Sequence, residues 1–239
     1  MSESLQDAWD KIQQKIAAAA VRAGRSAEDV TVVAVTKTQP AERVREALAL
    51  GLVHLGENKV QEAAAKREAV GRGLWHLIGH LQSNKAKVAV ELFDRVDSVD
   101  SLDIGRELSK RAAAIGKTLP ILMEINVAGE ASKFGVAPAE ASRVAEQLNA
   151  LPALELCGLM TLAPFCVEPE KARPALAGLR EVRDRIERET GLRLPELSMG
   201  MSHDFEVAIE EGSTQVRLGT ILFGERRARD KVSGTDSFL

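Results

Sequence analysis

The chain has no tyrosine and only two cysteines among its 239 residues. Cys157 and Cys166 stand in or beside an apolar segment without metal-ligand spacing, which fits a reducing compartment rather than a metal centre. Charge of one sign is not in excess either: 32 Lys and Arg face 35 Asp and Glu, a net charge of −3. No global field therefore favours nucleic acid or an anionic membrane. No apolar run is long enough to span a bilayer, and the amino terminus is polar and acidic rather than signal-like. A soluble, cytoplasmic protein with no nucleic-acid or membrane partner is expected. The basic cluster Arg226, Arg227, Arg229 and Lys231 is local and reads as a solvated helix face.

What is present is alternation. Residues 31–38 form a short run of β-branched residues bounded by charge before and Gln39-Pro40 after, the signature of a buried parallel strand. An alanine-rich helix over 5–23 precedes it, with Trp9, Ile12, Ile16 and Ala20 at helical spacing. Further strands are predicted at 52–55, 74–78, 95–99, 119–127, 154–159, 196–199 and 216–218. Helices are predicted between them, with several closed by glycine. Eight strands alternating with helices imply a parallel sheet closed on itself. The expectation is an α/β chain forming a single (β/α)8 TIM barrel with an extra N-terminal helix. One domain covers the chain, with a barrel core over about 28–224 and a tail over 225–239. An open doubly wound sheet is the alternative; the eight units and the lack of Gly-x-Gly-x-x-Gly after the first strand argue against it.

A barrel keeps its chemistry at the carboxyl ends of its strands. On this reading Lys37 ends the first strand as its last buried-side residue. A lysine there either snorkels to solvent or has a use for its amine, and a desolvated amine is the kind that forms Schiff bases with aldehydes. Glu57 and Asn58 follow the second strand, and Gly79, His80, Gln82 and Asn84 the third. Asn126, Glu130 and Lys133 follow the fifth, and Met160 and Thr161 the sixth. The loops after strands seven and eight, where barrels commonly bind phosphate, bring Gly200, Met201, Ser202, Arg217, Gly219 and Thr220. Ser202 is placed to cap the next helix, with Asp204 and Glu206 in its first turn, and Gly219-Thr220 offers backbone N–H groups. Each feature by itself is satisfied by a cap or a turn; together they suggest a phosphate site. Arg217 either points inward at a ring nitrogen or pairs with a rim carboxylate such as Glu57. An aldehyde and a phosphate describe pyridoxal 5′-phosphate, and equally a sugar phosphate in an aldolase; composition does not choose.

Six motifs choose. Val-Ala-Val-Thr-Lys-Thr (33–38), Gly-Glu-Asn-Lys-Val-Gln-Glu (56–62) and His-Leu-Ile-Gly-His-Leu-Gln-Ser-Asn-Lys (76–85) come first. Gly-Leu-Met-Thr (158–161), Leu-Ser-Met-Gly-Met-Ser-His-Asp (197–204) and Val-Arg-Leu-Gly-Thr-Ile-Leu-Phe-Gly (216–224) follow in register. Over residues 5–224 the chain resembles the pyridoxal phosphate homeostasis proteins. The resemblance implies a barrel similar to the amino-terminal domain of alanine racemase, with pyridoxal phosphate held as a Schiff base on Lys37. It implies phosphate contacts from Ser202, Gly219 and Thr220, Arg217 facing the pyridine nitrogen, and Asn58 near the ring edge. Asn-Val-Ala-Gly-Glu-Ala-Ser-Lys-Phe-Gly (126–135) also matches; its Lys133, a second amine, reads as a solvated loop lysine. One departure is Lys59, where many members carry tyrosine.

The missing tyrosine then matters. Alanine racemase takes a second acid/base from a tyrosine on its partner's carboxyl-terminal β-domain, whereas this chain stops soon after strand eight and has no tyrosine. A racemase needs groups on both faces of the substrate carbon, and Lys37 serves one. The expectation is a non-catalytic carrier that buffers or delivers pyridoxal phosphate, with cofactor-free enzymes as partners and a monomer or weak homodimer as its state. A weakly active racemase-like enzyme and a cofactor-free sugar-phosphate lyase are the rivals.

Overall fold

The computed structural model describes residues 4–130 and 134–224. Their strands are β1 (Thr31–Val35), β2 (His54–Glu57), β3 (Leu74–Leu77), β4 (Arg95–Val99), β5 (Leu119–Glu124), β6 (Leu154–Met160), β7 (Glu196–Met201) and β8 (Gln215–Leu218). Every neighbouring pair is parallel, and β8 closes onto β1 with Thr31 beside Gln215 and Ala34 beside Leu218. The expected closed barrel is therefore observed.

The helices are α1 (Leu5–Arg22), α2 (Ala41–Ala49), α3 (Val60–Val70), α4 (Ala86–Leu92), α5 (Leu102–Ala114), α6 (Ala141–Asn149), α7 (Arg173–Thr190), α8 (Phe205–Glu210) and α9 (Thr220–Phe223). The predicted added helix is α1. A capping box opens it, Ser4 and Asp7 satisfying each other's backbone N–H. Its buried stripe, Leu5, Ala8, Ile12, Ile16, Ala19 and Ala20, packs on α8 and α9. Lys15 and Arg22 bridge from α1 to Glu206 and Glu210 of α8. The helix thus buttresses the side of the barrel that carries the β7 and β8 loops.

Each strand divides its residues between two layers. Val32, Ala34, Leu55, Trp75, Leu77, Val96, Ile121, Met123, Leu197, Val216 and Leu218 join the core shared with the helices. The opposite parity faces the barrel interior: a side chain at Gly56 would meet Val33 and Ile78, each 2.9 Å away. Barrel interiors are usually filled by branched aliphatics. This one is polar along much of its length, with His76, Asp97, Ser198, Gln215 and Arg217 all buried.

Several predicted strand limits move by one to three residues. β1 stops at Val35, so Lys37 lies two residues past it in a turn and is half-buried, not a strand-end core residue. β2 begins at His54 rather than Leu52 and includes Glu57. β5 ends at Glu124 and β7 runs on to Met201. Hydrogen bonding to the neighbour strand sets these limits, and that neighbour is remote in sequence.

Candidate functional site

Most of the described residues singled out from the sequence lie at the carboxyl ends of the strands. Continuing the β1 alternation one step puts Lys37 on the same parity as Val33, which faces the interior. Residues 36–39 form a turn in which the Gln39 N–H donates to the Thr36 carbonyl at 2.9 Å. Thr38 sits at φ +64°, an uncommon conformation for a β-branched residue. Asn58 follows β2 and is half-buried. Its backbone is so close to Gly79 that a Cβ on Gly79 would lie 2.5 Å from the Asn58 carbonyl oxygen, so only glycine lets β2 and β3 meet there.

Ser202 does something other than what its position suggested. α8 starts at Phe205 with Asp204 as its cap residue, and the Ser202 hydroxyl instead accepts from Gly219 N–H at 3.2 Å and Ile221 N–H at 3.3 Å. The Gly219 N–H is therefore engaged rather than open. Two backbone donors converge on one oxygen at the start of α9, and the Ser202 O–H keeps its own proton to donate. Thr220 is the exposed first residue of α9.

Arg217 is inside the barrel, 3% exposed. Its Nη1 donates to Ser198 Oγ at 2.6 Å and its Nη2 to the Thr161 carbonyl at 2.8 Å. The alternative ion pair with Glu57 is not formed, because Glu57 lies on the outer parity of β2 and meets Lys66 of α3 at 2.7 Å. Burial pushes the Arg217 guanidinium below its usual range, against the charges of Asp97, Glu124 and Asp204. Two of its five N–H groups are used among the described residues.

Below Arg217 runs a column that sequence reasoning missed. Ser198 Oγ also accepts from Gln215 Nε2 at 2.8 Å, and the same amide donates to Asp97 Oδ2 at 2.8 Å. Asp97 takes Arg95 Nε at 2.7 Å and bonds the His76 ring at 2.9 Å, and His76 bonds His54 at 2.9 Å. Burial opposes the ionised form of Asp97, but His76, Arg95 and Gln215 together hold its carboxyl well below the usual range. Burial, the neighbouring His76 and Arg95 push His54 down to about 4. The signal in the sequence was polar residues at alternate strand positions, as with Arg95 and Asp97 in β4 and Gln215 and Arg217 in β8.

A second group was also missed. Glu124 ends β5 on the interior parity and is 5% exposed. Burial, then the Asp100 charge, pushes its carboxyl up to about 7, against the pull of Arg217 and His80. His80 bonds Asp100 at 2.7 Å and stacks on Phe134, ring centroids 3.6 Å apart. Lys59 is exposed at the start of α3, while Lys133, the tail over 225–239 and its basic cluster lie outside the described residues. Among the described residues no cluster of His, Cys, Asp and Glu suits a metal ion, and no helix is long and apolar enough to cross a membrane.

Comparison with known proteins agrees with this fold. The family model described as alanine racemase, N-terminal domain, matches residues 9–227. The pyridoxal phosphate homeostasis protein of Aquifex aeolicus is 44% identical over 220 residues, covering 91% of this chain and 96% of that one. The Pseudomonas aeruginosa protein of the same name is 45% identical over 218 residues, with 90% and 93% covered. Among solved structures, PipY of Synechococcus elongatus with PLP bound is 38% identical. It superposes with a TM-score of 0.77, covering 82% of this chain and 93% of that one.

Proposed function

The chain belongs to the pyridoxal phosphate homeostasis protein family, and from that premise we propose that it binds pyridoxal 5′-phosphate reversibly and buffers or delivers it to cofactor-free enzymes. When bound, the cofactor supplies an aldehyde for a Schiff base and a ring able to withdraw electrons. Lys37 provides the amine of the tether. Ser202, Gly219 and Thr220 hold the phosphate, Arg217 faces the pyridine nitrogen and Asn58 the ring edge.

The observation that carries this reading is the convergence of Gly219 and Ile221 N–H on Ser202 Oγ, beside a buried guanidinium, at the barrel end where Lys37 lies. Donors already aimed at one oxygen suit a phosphate oxygen as well, and the adjoining hydroxyl adds a third. A guanidinium opposite the ring nitrogen disfavours its protonation and so weakens the ring as an electron sink.

The test is reconstitution with pyridoxal phosphate, borohydride reduction and peptide mass mapping. The adduct is expected on Lys37, and Lys37→Ala removes it together with the visible imine absorption. An adduct on another residue in the wild-type protein overturns the assignment. One observation favours a weakly active racemase-like enzyme: Glu124, with its carboxyl near 7, is a proton-exchanging group that the sequence did not reveal. Incubation with L- and D-amino acids in deuterated water separates the two. Exchange of the α-proton at ordinary enzyme rates, abolished by Glu124→Gln, establishes the enzyme; its absence leaves the carrier.

A further inference from the structure

Among the described residues Lys66 is the one lysine that is buried, 8% exposed, and it lies outside the barrel on α3 rather than in the mouth. An ammonium has three protons to donate and no accepting capacity. Here all three have partners: Glu57 Oε1 at 2.7 Å, Glu62 Oε1 at 2.6 Å and the Thr36 carbonyl. The two carboxylates reach further. Glu57 Oε1 accepts the Thr36 hydroxyl at 2.5 Å, and Glu62 Oε1 accepts the Thr38 backbone N–H. The cluster therefore grips the residues immediately before and after Lys37. It also holds Thr38 in the left-handed conformation that turns the chain away behind it.

Such a cluster is a poor device for stability. Buried ions are costly to desolvate, and well-packed apolar residues do as well or better. Glu57 Oε2 is moreover buried without a hydrogen-bond partner among the described residues, and burial raises the Glu57 carboxyl even against Lys66 and Thr36. What the ions add is direction, because each bond ends on a fixed atom of the 36–38 segment. We propose that Lys66, acting through Glu57 and Glu62, is the positioning residue for Lys37: it fixes the backbone on both sides so that the Lys37 amine meets an aldehyde at a set point of the mouth. This rests on the cofactor-binding reading above. Preorganisation of this kind shows in affinity, because the ordering cost is met before the ligand arrives.

The test compares Lys66→Met, which keeps the stem and removes the charge, with Glu62→Gln, which leaves Lys66 bound to Glu57 and Thr36. Three readouts are taken. Pyridoxal phosphate affinity is followed by imine absorption, inorganic phosphate affinity by competition, and amide hydrogen exchange of the 36–38 segment in the cofactor-free protein. For Lys66→Met the pyridoxal phosphate Kd is expected to rise about tenfold or more. Its phosphate Kd stays within about twofold, since the phosphate donors belong to other elements. Exchange at Thr38 accelerates in both variants, and the adduct, once formed, still maps to Lys37. A folded Lys66→Met protein with wild-type pyridoxal phosphate affinity overturns the proposal, as does equal loss of both affinities, which marks general damage to the fold. Should Lys66→Met not fold, Glu62→Gln decides: faster exchange at Thr38 with weaker cofactor binding supports the clamp, and no change in either refutes it. The two readings fail separately. A wild-type protein without a Lys37 adduct removes the function, whereas the exchange data judge the clamp without any cofactor.

Discussion

Glu124 and His54 carry opposite lessons about a single side chain turned into the barrel. The folded protein retains a proton on Glu124 up to about 7, whereas an ordinary glutamate gives it up near 4.5. The stability this contributes is complete below 4.5 and lost as pH rises through 7, on the order of 3 kcal/mol at most. His54 is depressed from 6.5 to about 4, so its contribution is complete above 6.5 and lost as pH falls toward 4. The two windows overlap with opposite slopes and partly cancel. Denaturant titrations are expected to show Glu124→Gln no more stable than wild type at pH 4.5 but more stable by about 2–3 kcal/mol at pH 8. His54→Gln should instead flatten the acid side of the curve. At this scale Lys37, Arg217 and Ser202 were legible in the sequence, whereas Glu124 and Lys66 were not. Nothing local distinguishes a glutamate that ends a strand facing inward from one in a loop, and Lys66 reads as one more polar residue of an exposed helix.

Among the elements, α1 is the informative one. It is no part of the eightfold repeat, yet its apolar stripe covers α8 and α9, the helices behind the proposed phosphate site. Ile12 is 1% exposed in that seam, while the Lys15–Glu206 pair is solvated. Truncating Ile12 to Ala is expected to cost about 2–4 kcal/mol in denaturant unfolding. Glu206→Gln is expected to cost less than about 1 kcal/mol, because an exposed pair is screened and loses side-chain freedom. Loosening α1 also reaches the site: phosphate affinity of Ile12→Ala should fall, since α9 loses its backing. The strands were placed by composition, but their ends were not. β1 stopping at Val35 and α8 starting at Phe205 follow from partners far away in the chain.

On the scale of the whole molecule, the barrel encloses a polar column from His54 at the amino ends of the strands to Arg217 near the mouth. Six strands contribute to it: β2, β3, β4 and β8, with β7 through Ser198 and Glu196, and β6 at its upper end through Met160's neighbour Thr161. Asp97 is the anion at its centre, serving Arg95, His76 and Gln215 at once. Asp97→Asn removes a charge that other buried groups need, and about 3–5 kcal/mol of stability should go with it. The measurement is the denaturant midpoint at unchanged m-value. The same change should weaken pyridoxal phosphate binding less than Lys66→Met does, because Ser198 and Thr161 still hold Arg217.

The sequence by itself determined the class of fold, the number of units, the added helix and the family. Those depend on periodicity, on breakers and on short motifs, which are local properties of a chain. Tertiary structure alone decided which side chain meets which. It took Ser202 from a helix cap to a backbone-bound hydroxyl, and it settled Arg217 as the head of a buried column rather than one half of a rim ion pair with Glu57. It also gave Lys37 its support from α3, about thirty residues further along the chain. Closing a sheet into a barrel brings the first and last strands together and sets an inside and an outside for each. Desolvation and partner choice then follow from that geometry, and no window of neighbouring residues contains it.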